Sequence, residues 1–213
     1  MLRRAGVDIR LDAVADRISL AQEDFEAVVV ATGSAPRRDG YTSLRPGADG
    51  MRIGRDISTV WDVFITPETF DGPAIVIEDD PHLSGTAAAE KLAERGYPVT
   101  IITPHMHAGA DLPVHHAPAL YRRLTTLGIT VVPTTFVTAI EPGRLICEER
   151  FSGASKKIVH SGPIVLAMGN LANDALARAL DGSGLEVLVV GDALAPRQID
   201  MAILDGERAG WTI

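Results

Sequence analysis

Five short runs of mostly β-branched apolar residues punctuate the chain: Ala27–Ala31, Ala74–Ile77, Val99–Ile102, Ile164–Ala167 and Val187–Val190. They are continuous rather than alternating, which predicts strands buried on both faces of a helix-covered parallel sheet. Helical patterns lie between them. Ser84–Arg95 opens on a hydroxyl, carries Ala87, Ala88, Leu92 and Ala93 inside, and stops at Gly96. A second helix is predicted from Ala117 to Leu127, closed by Gly128. Residues 74–102 therefore read as one strand–helix–strand unit with parallel strands. After Val131 the pattern changes to short strands expected to pair antiparallel, Phe136–Ile140, Arg144–Arg150 and Lys156–His160. Turns at Glu141–Pro142–Gly143 and at Ser152–Gly153 separate them.

A weak internal repeat divides this pattern in two. Val28-Val29-Val30-Ala31-Thr32-Gly33 echoes Ile164-Val165-Leu166-Ala167-Met168-Gly169, so each of two similar lobes ends a strand on a glycine that lets the backbone turn sharply. Doubly wound sheets place their ligands at such turns.

Composition narrows the function classes. With 213 residues, 46% of them hydrophobic and 23% charged, the chain has material for one good core or two small ones. A net charge of −8 argues against a nucleic-acid partner, which calls for clustered Lys and Arg. The single cysteine, Cys147, excludes an intrachain disulfide and cannot alone hold a zinc or an iron–sulfur cluster. No apolar run resembles a signal peptide or approaches a membrane span, and the expected setting is reducing and cytoplasmic.

Candidate chemistry is sparse. His105, His107, His115 and His116 have no zinc spacing and sit among glycines and prolines, which reads as a solvated loop, and no metal site is expected. Asp79 and Asp80 lack a placeable nucleophile or third partner and read as a solvated turn or an acidic helix start rather than an acid–base pair. Trp61 and Phe64, three apart, are expected to pack. Cys147, inside an apolar strand, is expected to be inert. Arg37, Arg38 and Arg197 are open to two readings, phosphate contacts or surface charge. No catalytic residue is assigned.

Two turns carry a resemblance. Ala31-Thr32-Gly33-Ser34-Ala35-Pro36-Arg37 resembles the Ala-Thr-Gly turn of flavoproteins with two dinucleotide-binding domains, and Val190-Gly191-Asp192-Ala193 resembles their late Gly-Asp turn. The physical logic agrees with it. Gly191 permits close backbone approach, Asp192 can accept hydrogen bonds from ligand hydroxyls, and a helix from about Gln198 offers N-terminal amides to a phosphate. Ala193-Leu194-Ala195-Pro196-Arg197-Gln198-Ile199, Ile140-Glu141-Pro142-Gly143-Arg144, and Ala89-Glu90-Lys91-Leu92-Ala93 with Val99-Thr100-Ile101 resemble the C-terminal region of the trimethylamine, dimethylamine and histamine dehydrogenases, and more distantly 2,4-dienoyl-CoA reductase.

That resemblance implies an α/β, Rossmann-like fold with parallel sheets, helices and a small antiparallel element. It implies a discontinuous FAD/ADP-binding-like lobe over 1–66 and 170–213, with its first strand and Gly-rich loop missing, and an inserted NAD(P)-binding-like lobe over 67–169. Cofactor-binding residues carried over are Ala31, Thr32, Gly33, Gly191, Asp192 and Ala193, with FAD or ADP as the ligand. Family members also carry a barrel with FMN and a 4Fe-4S cluster, which this sequence lacks, so the chain is expected to be a fragment or a split subunit, inactive alone. Implied partners are that barrel domain or subunit, or an electron-transfer flavoprotein. Self-association across the incomplete first lobe is a further expectation. The inserted lobe departs from Gly-x-Gly-x-x-Gly, reading Glu78-Asp79-Asp80-Pro81-His82-Leu83-Ser84-Gly85, where carboxylates repel a pyrophosphate. The expected function is thus the nucleotide-binding module of a flavin-dependent oxidoreductase. The alternatives are a non-catalytic docking or electron-transfer-partner module and an NAD(P)H-dependent flavin reductase module.

Overall fold

The computed structural model describes residues 2–44, 51–53, 57–66 and 71–213. In chain order these form α1 (Arg17–Ala21), β1 (Ala27–Val30), β2 (Ser34–Pro36), β3 (Arg52–Ile53), β4 (Ser58–Thr59), α2 (Val60–Ile65), β5 (Ala74–Glu78), α3 (Leu83–Glu94), β6 (Val99–Ile102) and α4 (Ala117–Thr126). There follow β7 (Thr130–Val132), β8 (Thr135–Glu141), β9 (Arg144–Glu149), β10 (Ser155–Val159), β11 (Ile164–Ala167), β12 (Asn170–Ala172), α5 (Ala175–Ala179), β13 (Glu186–Val189) and α6 (Ile199–Thr212). Five expected strands and three expected helices are present, with ends shifted by a residue or two. The fold is α/β with parallel sheets.

The chain divides into two compact units, Met1–Ala35 with Leu171–Ile213, and Pro36–Asn170. The sequence reading placed residues 36–66 with the first lobe. The described part of that stretch packs instead on the sheets of the second unit: β3 pairs with β8, β4 pairs with β11, and α2 buries Val60 and Val63 in its core.

In the second unit a five-stranded parallel sheet runs in the order β4-β11-β5-β6-β7. Side chains alternate across it. Ala74, Val76, Val99, Ile101, Val165 and Ala167 meet Ala88, Ala89 and Leu92 of α3 and Leu120 and Leu124 of α4. Their neighbours Ile75, Ile77, Ile102, Ile164 and Leu166 meet Val137, Ile140, Leu145 and Cys147 of the second sheet, whose order is β10-β9-β8-β3. Covering both faces is what continuous apolar strands require. The expected antiparallel element is the β8-β9-β10 meander, with a register shift between Val137 and Ala139. Burial pushes the Cys147 thiol up to about 11, in keeping with an inert cysteine.

The first unit holds a two-stranded parallel pair, β1 with β13, over a small cluster of Val30, Leu180 and Ala193. Its strands are not buried on both faces as the apolar runs suggested: Val29 is 40% exposed, and β13 has no fully buried residue. Period and composition are those of a covered sheet, but of its helical residues only Leu20 of α1 and Leu176 and Ala177 of α5 pack against the small core cluster.

In α2, Val60 and Val63 take the inward face. Trp61 and Phe64, one position further round, are therefore exposed rather than packed.

Truncating Ile101, fully buried between α3 and α4, should cost about 2–5 kcal/mol and lower the urea midpoint without changing the slope. The same change at exposed Ile65 should shift the midpoint little.

Candidate functional site

Both copies of the strand-to-glycine repeat behave alike. Gly33 follows β1 at φ 74° and Gly169 follows β11 at φ 75°, a left-handed geometry costly for residues with a Cβ. In the first unit the turn after β1 is pinned to the chain entering α5. Asn173 N–H donates to the Gly33 carbonyl at 2.9 Å, and Thr32 Oγ1 donates to the Asn173 carbonyl at 2.5 Å.

The turn after β13 lies beside it. Gly191 has φ 60°, and a Cβ there would stand 3.4 Å from Ala202 Cβ of α6, so the glycine also lets the helix approach. Asp192 ties the two turns together, its Oδ2 accepting from Ser34 Oγ at 2.9 Å and its Oδ1 from Arg197 N–H at 3.3 Å. Asp205, one turn further along α6, accepts from Gly191 N–H at 3.2 Å and pairs with the Arg197 guanidinium.

Around these groups lies a cleft of about 510 Å³, lined by Ala31, Gly33, Val190, Gly191, Asp192, Arg197, Ile199, Ala202 and Gly206. Four of the six residues singled out from sequence, Ala31, Gly33, Gly191 and Asp192, thus share one wall. The other two do not line it. Thr32 turns its hydroxyl to Asn173, and Ala193 is buried against Val30 and Leu180. Asp205 escaped the sequence reading. Its signal was available only in retrospect: it stands three residues after Ala202 on a helix, so both face the same glycine turn.

The cleft fits a nucleotide in part. Its volume is that of a small-molecule site, and Asp192 is placed to accept hydrogen bonds from hydroxyls. For a diphosphate it offers the first-turn amides of α6 and Arg197, but that cation already faces Asp205 and accepts no further charge without rearranging. Arg37 and Arg38 are engaged elsewhere, Arg37 with Asp39 at 2.8 Å and over the Tyr41 ring, Arg38 with Asp62 at 2.5 Å.

The second unit holds the turn where a nicotinamide nucleotide's phosphates are expected. Asp80, His82 and Gly85 fall on the three glycine positions of Gly-x-Gly-x-x-Gly. Only the third is kept, and it does the third glycine's work: a Cβ on Gly85 would stand 2.8 Å from Glu78 Cγ, so α3 packs directly on the end of β5. The other two positions form a closed network. Asp80 Oδ1 meets His82 Nδ1 at 2.5 Å, Asp80 Oδ2 accepts from Ser84 Oγ at 2.9 Å, and His82 Nε2 lies 3.2 Å from Asp111 Oδ2.

This turn is not the solvated one expected from its carboxylates. Asp79 is nearly buried and accepts from Ser43 N–H at 2.6 Å and from the Ser43 hydroxyl. Glu78 is 0% exposed; one oxygen accepts from Gly109 N–H at 2.7 Å, and Oε2 has no partner among the described residues. Burial, partly offset by the Gly109 amide and reinforced by the Asp80 charge, pushes the Glu78 carboxyl up to about 7. Among the described residues no helix is long and apolar enough to cross a membrane.

Comparison with known proteins gives relatives over part of their length. No family model matches the chain. It is 28% identical to an NADH oxidase of Thermoanaerobacter brockii over 213 residues, all of this chain and 32% of that protein. It is 30% identical to an N,N-dimethylglycine/sarcosine dehydrogenase of Chromohalobacter salexigens over 125 residues, 58% of this chain and 17% of that one. The structure of histamine dehydrogenase from Rhizobium sp. 4-9 superposes with a TM-score of 0.83 at 25% identity, covering 93% of this chain and 32% of that one. The chain thus spans a third or less of the length of these relatives.

Glu78 makes stability depend on pH in a definite direction. The folded state holds its proton more tightly than the unfolded chain, so the benefit is complete below pH 4.5 and is lost as pH rises to about 7. Glu78→Gln should flatten urea-derived stability across that window, and above pH 7 the variant should be the more stable, by on the order of 3 kcal/mol. Equal slopes in the two proteins would contradict the assignment. Gly85→Ala should destabilise by about 1–3 kcal/mol through the clash with Glu78 Cγ, read from the same unfolding curves.

Proposed function

We propose that this chain, a relative of the FAD/NAD(P)-binding-like region of the trimethylamine, dimethylamine and histamine dehydrogenase family, is the nucleotide-binding module of a flavin-dependent oxidoreductase. The observation that supports it most is the common wall formed by Ala31, Gly33, Gly191 and Asp192 in the first-unit cleft. Its ligand is ADP or the ADP part of FAD. Asp192 takes a ribose hydroxyl, and a phosphate displaces Asp205 as the partner of Arg197 and meets the start of α6.

Substrate oxidation belongs to a domain or subunit outside this chain. FMN supplies the redox chemistry there, and a 4Fe-4S cluster finds no ligands here, because the only cysteine is buried in the second unit. An amine is the substrate class favoured by the dehydrogenases among the relatives, and an electron-transfer flavoprotein is a fitting acceptor. The setting is cytoplasmic.

One relative is an NADH oxidase, which favours the reading as a reductase module. Against it stand Asp80 and His82, whose side chains fill the two positions where glycines admit a pyrophosphate, and whose hydrogen bonds are already satisfied.

Thermal unfolding with added ligand separates these readings, because a ligand that binds only the folded state raises the midpoint. ADP or FAD at about a hundred times its dissociation constant should stabilise the chain by about 2.7 kcal/mol. Asp192→Ala should lose most of that gain, and NADPH should give none. A rise with NADPH but not with ADP or FAD would replace this reading with the reductase.

A further inference from the structure

Between β6 and α4 the chain runs through residues 106–112, a segment that is neither helix nor strand. It lies over the carboxyl end of β5. Gly109 N–H donates to Glu78 Oε1 at 2.7 Å, Asp111 N–H donates to the Pro81 carbonyl at 3.0 Å, and Asp111 Oδ2 lies 3.2 Å from His82 Nε2. On its other side, Ala108 N–H donates to the Tyr121 hydroxyl of α4 at 2.9 Å. The segment is a strap across the turn at which a doubly wound sheet holds its ligand. The chain itself covers that place.

One of these fastenings is unlike the rest. The Glu78 carboxyl is fully buried, with Oε1 bonded to the strap and Oε2 without a partner among the described residues. Gly109 presents its amide from φ 64°, where a Cβ would stand 3.0 Å from both Leu112 and Leu120. The surroundings offer an ionised carboxyl little. From α3 comes Gly85, where a Cβ would stand 2.8 Å from Glu78 Cγ, and β11 places Ala167 beside it in register. The ionisable groups acting on it or acted on by it are Asp80, of the same sign, and the Tyr121 phenol of α4. Neither is a cation. The nearby histidines are used elsewhere, His82 on Asp80 and His105 on the Asp79 carbonyl.

We propose that the strap is a pH-dependent latch, closed over the turn while Glu78 is neutral and loosened when that carboxyl ionises. A neutral carboxyl buries no charge and keeps its bond to the strap. A carboxylate at the same depth needs donors at Oε2, and water is the donor that can reach it once something moves. β5, β11 and α3 are held by Val76, Val165, Ala88, Ala89 and Leu92 of one core cluster, to which the strap adds only Ala108 and Leu112. The strap is therefore the element that yields. Closed, the carboxyl is pushed up to about 7 by burial; reached by water it returns towards 4.5, so opening releases a proton and is favoured as pH rises between those values. This latch belongs to the second unit and stands whether or not the first-unit cleft takes a nucleotide.

Amide hydrogen exchange at Gly109 and Asp111, followed by NMR on the whole chain and corrected for the intrinsic pH dependence of exchange, tests the latch. Protection of these amides should fall on the order of fiftyfold between pH 5 and pH 8. It should depend little on urea below the unfolding transition, and the amides of β5 and β6 should stay better protected throughout, because the strap opens without exposing the sheet. Glu78→Gln keeps an acceptor for Gly109 and removes the ionisation, so its strap should hold the same protection to within about threefold across that range. His82→Gln removes the other ionisable fastening; it should lower protection roughly fivefold and keep most of the slope. A flat profile in the native protein, a slope that survives Glu78→Gln, a slope that vanishes with His82→Gln, or strap amides that exchange only together with those of β5 and β6 overturns the proposal.

Discussion

A parallel sheet has to be covered on both faces, because its strands are apolar on both and its connections leave no wet side. The second unit meets that condition in full. Two residues apart along β5, side chains go to the same partner; one residue apart, they go to different layers, Val76 to the helices and Ile77 to the second sheet. Everything at the ends of these strands inherits that rigidity. Gly85 can bring α3 against Glu78 only because α3 is already held by Ala88, Ala89 and Leu92. Glu78 is trapped at full burial by the same packing, and that burial raises its carboxyl.

The first unit is built from the same kind of strand with far less cover. β1 and β13 pair in register from Ala27–Glu186 to Val30–Val189, yet Val30 alone of β1 is buried. The nearby cleft survives this because it is held by polar bonds rather than by a deep core. Asp192 bridges Ser34 and Arg197, and Asp205 bridges Arg197 and Gly191. Such a site is organised but also self-satisfied. An incoming ligand competes with carboxylates for Arg197 and for the Gly191 amide, which sets a high demand on the strength of its own hydrogen bonds.

The two units also illustrate opposite uses of a strand-ending turn. In the first, glycines at 33 and 191 leave an open wall. In the second, Asp80 and His82 stand where glycines admit a ligand, and their side chains bond Ser84 and Asp111 instead. Retention of Gly85 alone separates the packing role of the motif from its binding role. A helix can keep its close seat on the sheet while the other two positions of the turn carry side chains.

Local chemistry was legible in the sequence where it acts through neighbours along the chain. The five apolar strands, the helices stopped by Gly96 and Gly128, the β8-β9-β10 meander and the paired glycine turns all follow from period, turn residues and backbone freedom. Of the six residues singled out from sequence, Ala31, Gly33, Gly191 and Asp192 line one cleft. What depends on distant partners was not legible. Tertiary structure alone decided that described residues between 36 and 66 join the second unit, because β3 and β4 are too short to declare their partners. It turned Trp61 and Phe64 outward, since Val60 and Val63 took the core face of a short helix. It buried Glu78 and Asp79, which composition assigns to solvent, because Ser43 and Gly109 arrive from 36 and 31 residues away to bond them. Periodicity records which side of an element is apolar; only the assembled fold determines what meets it.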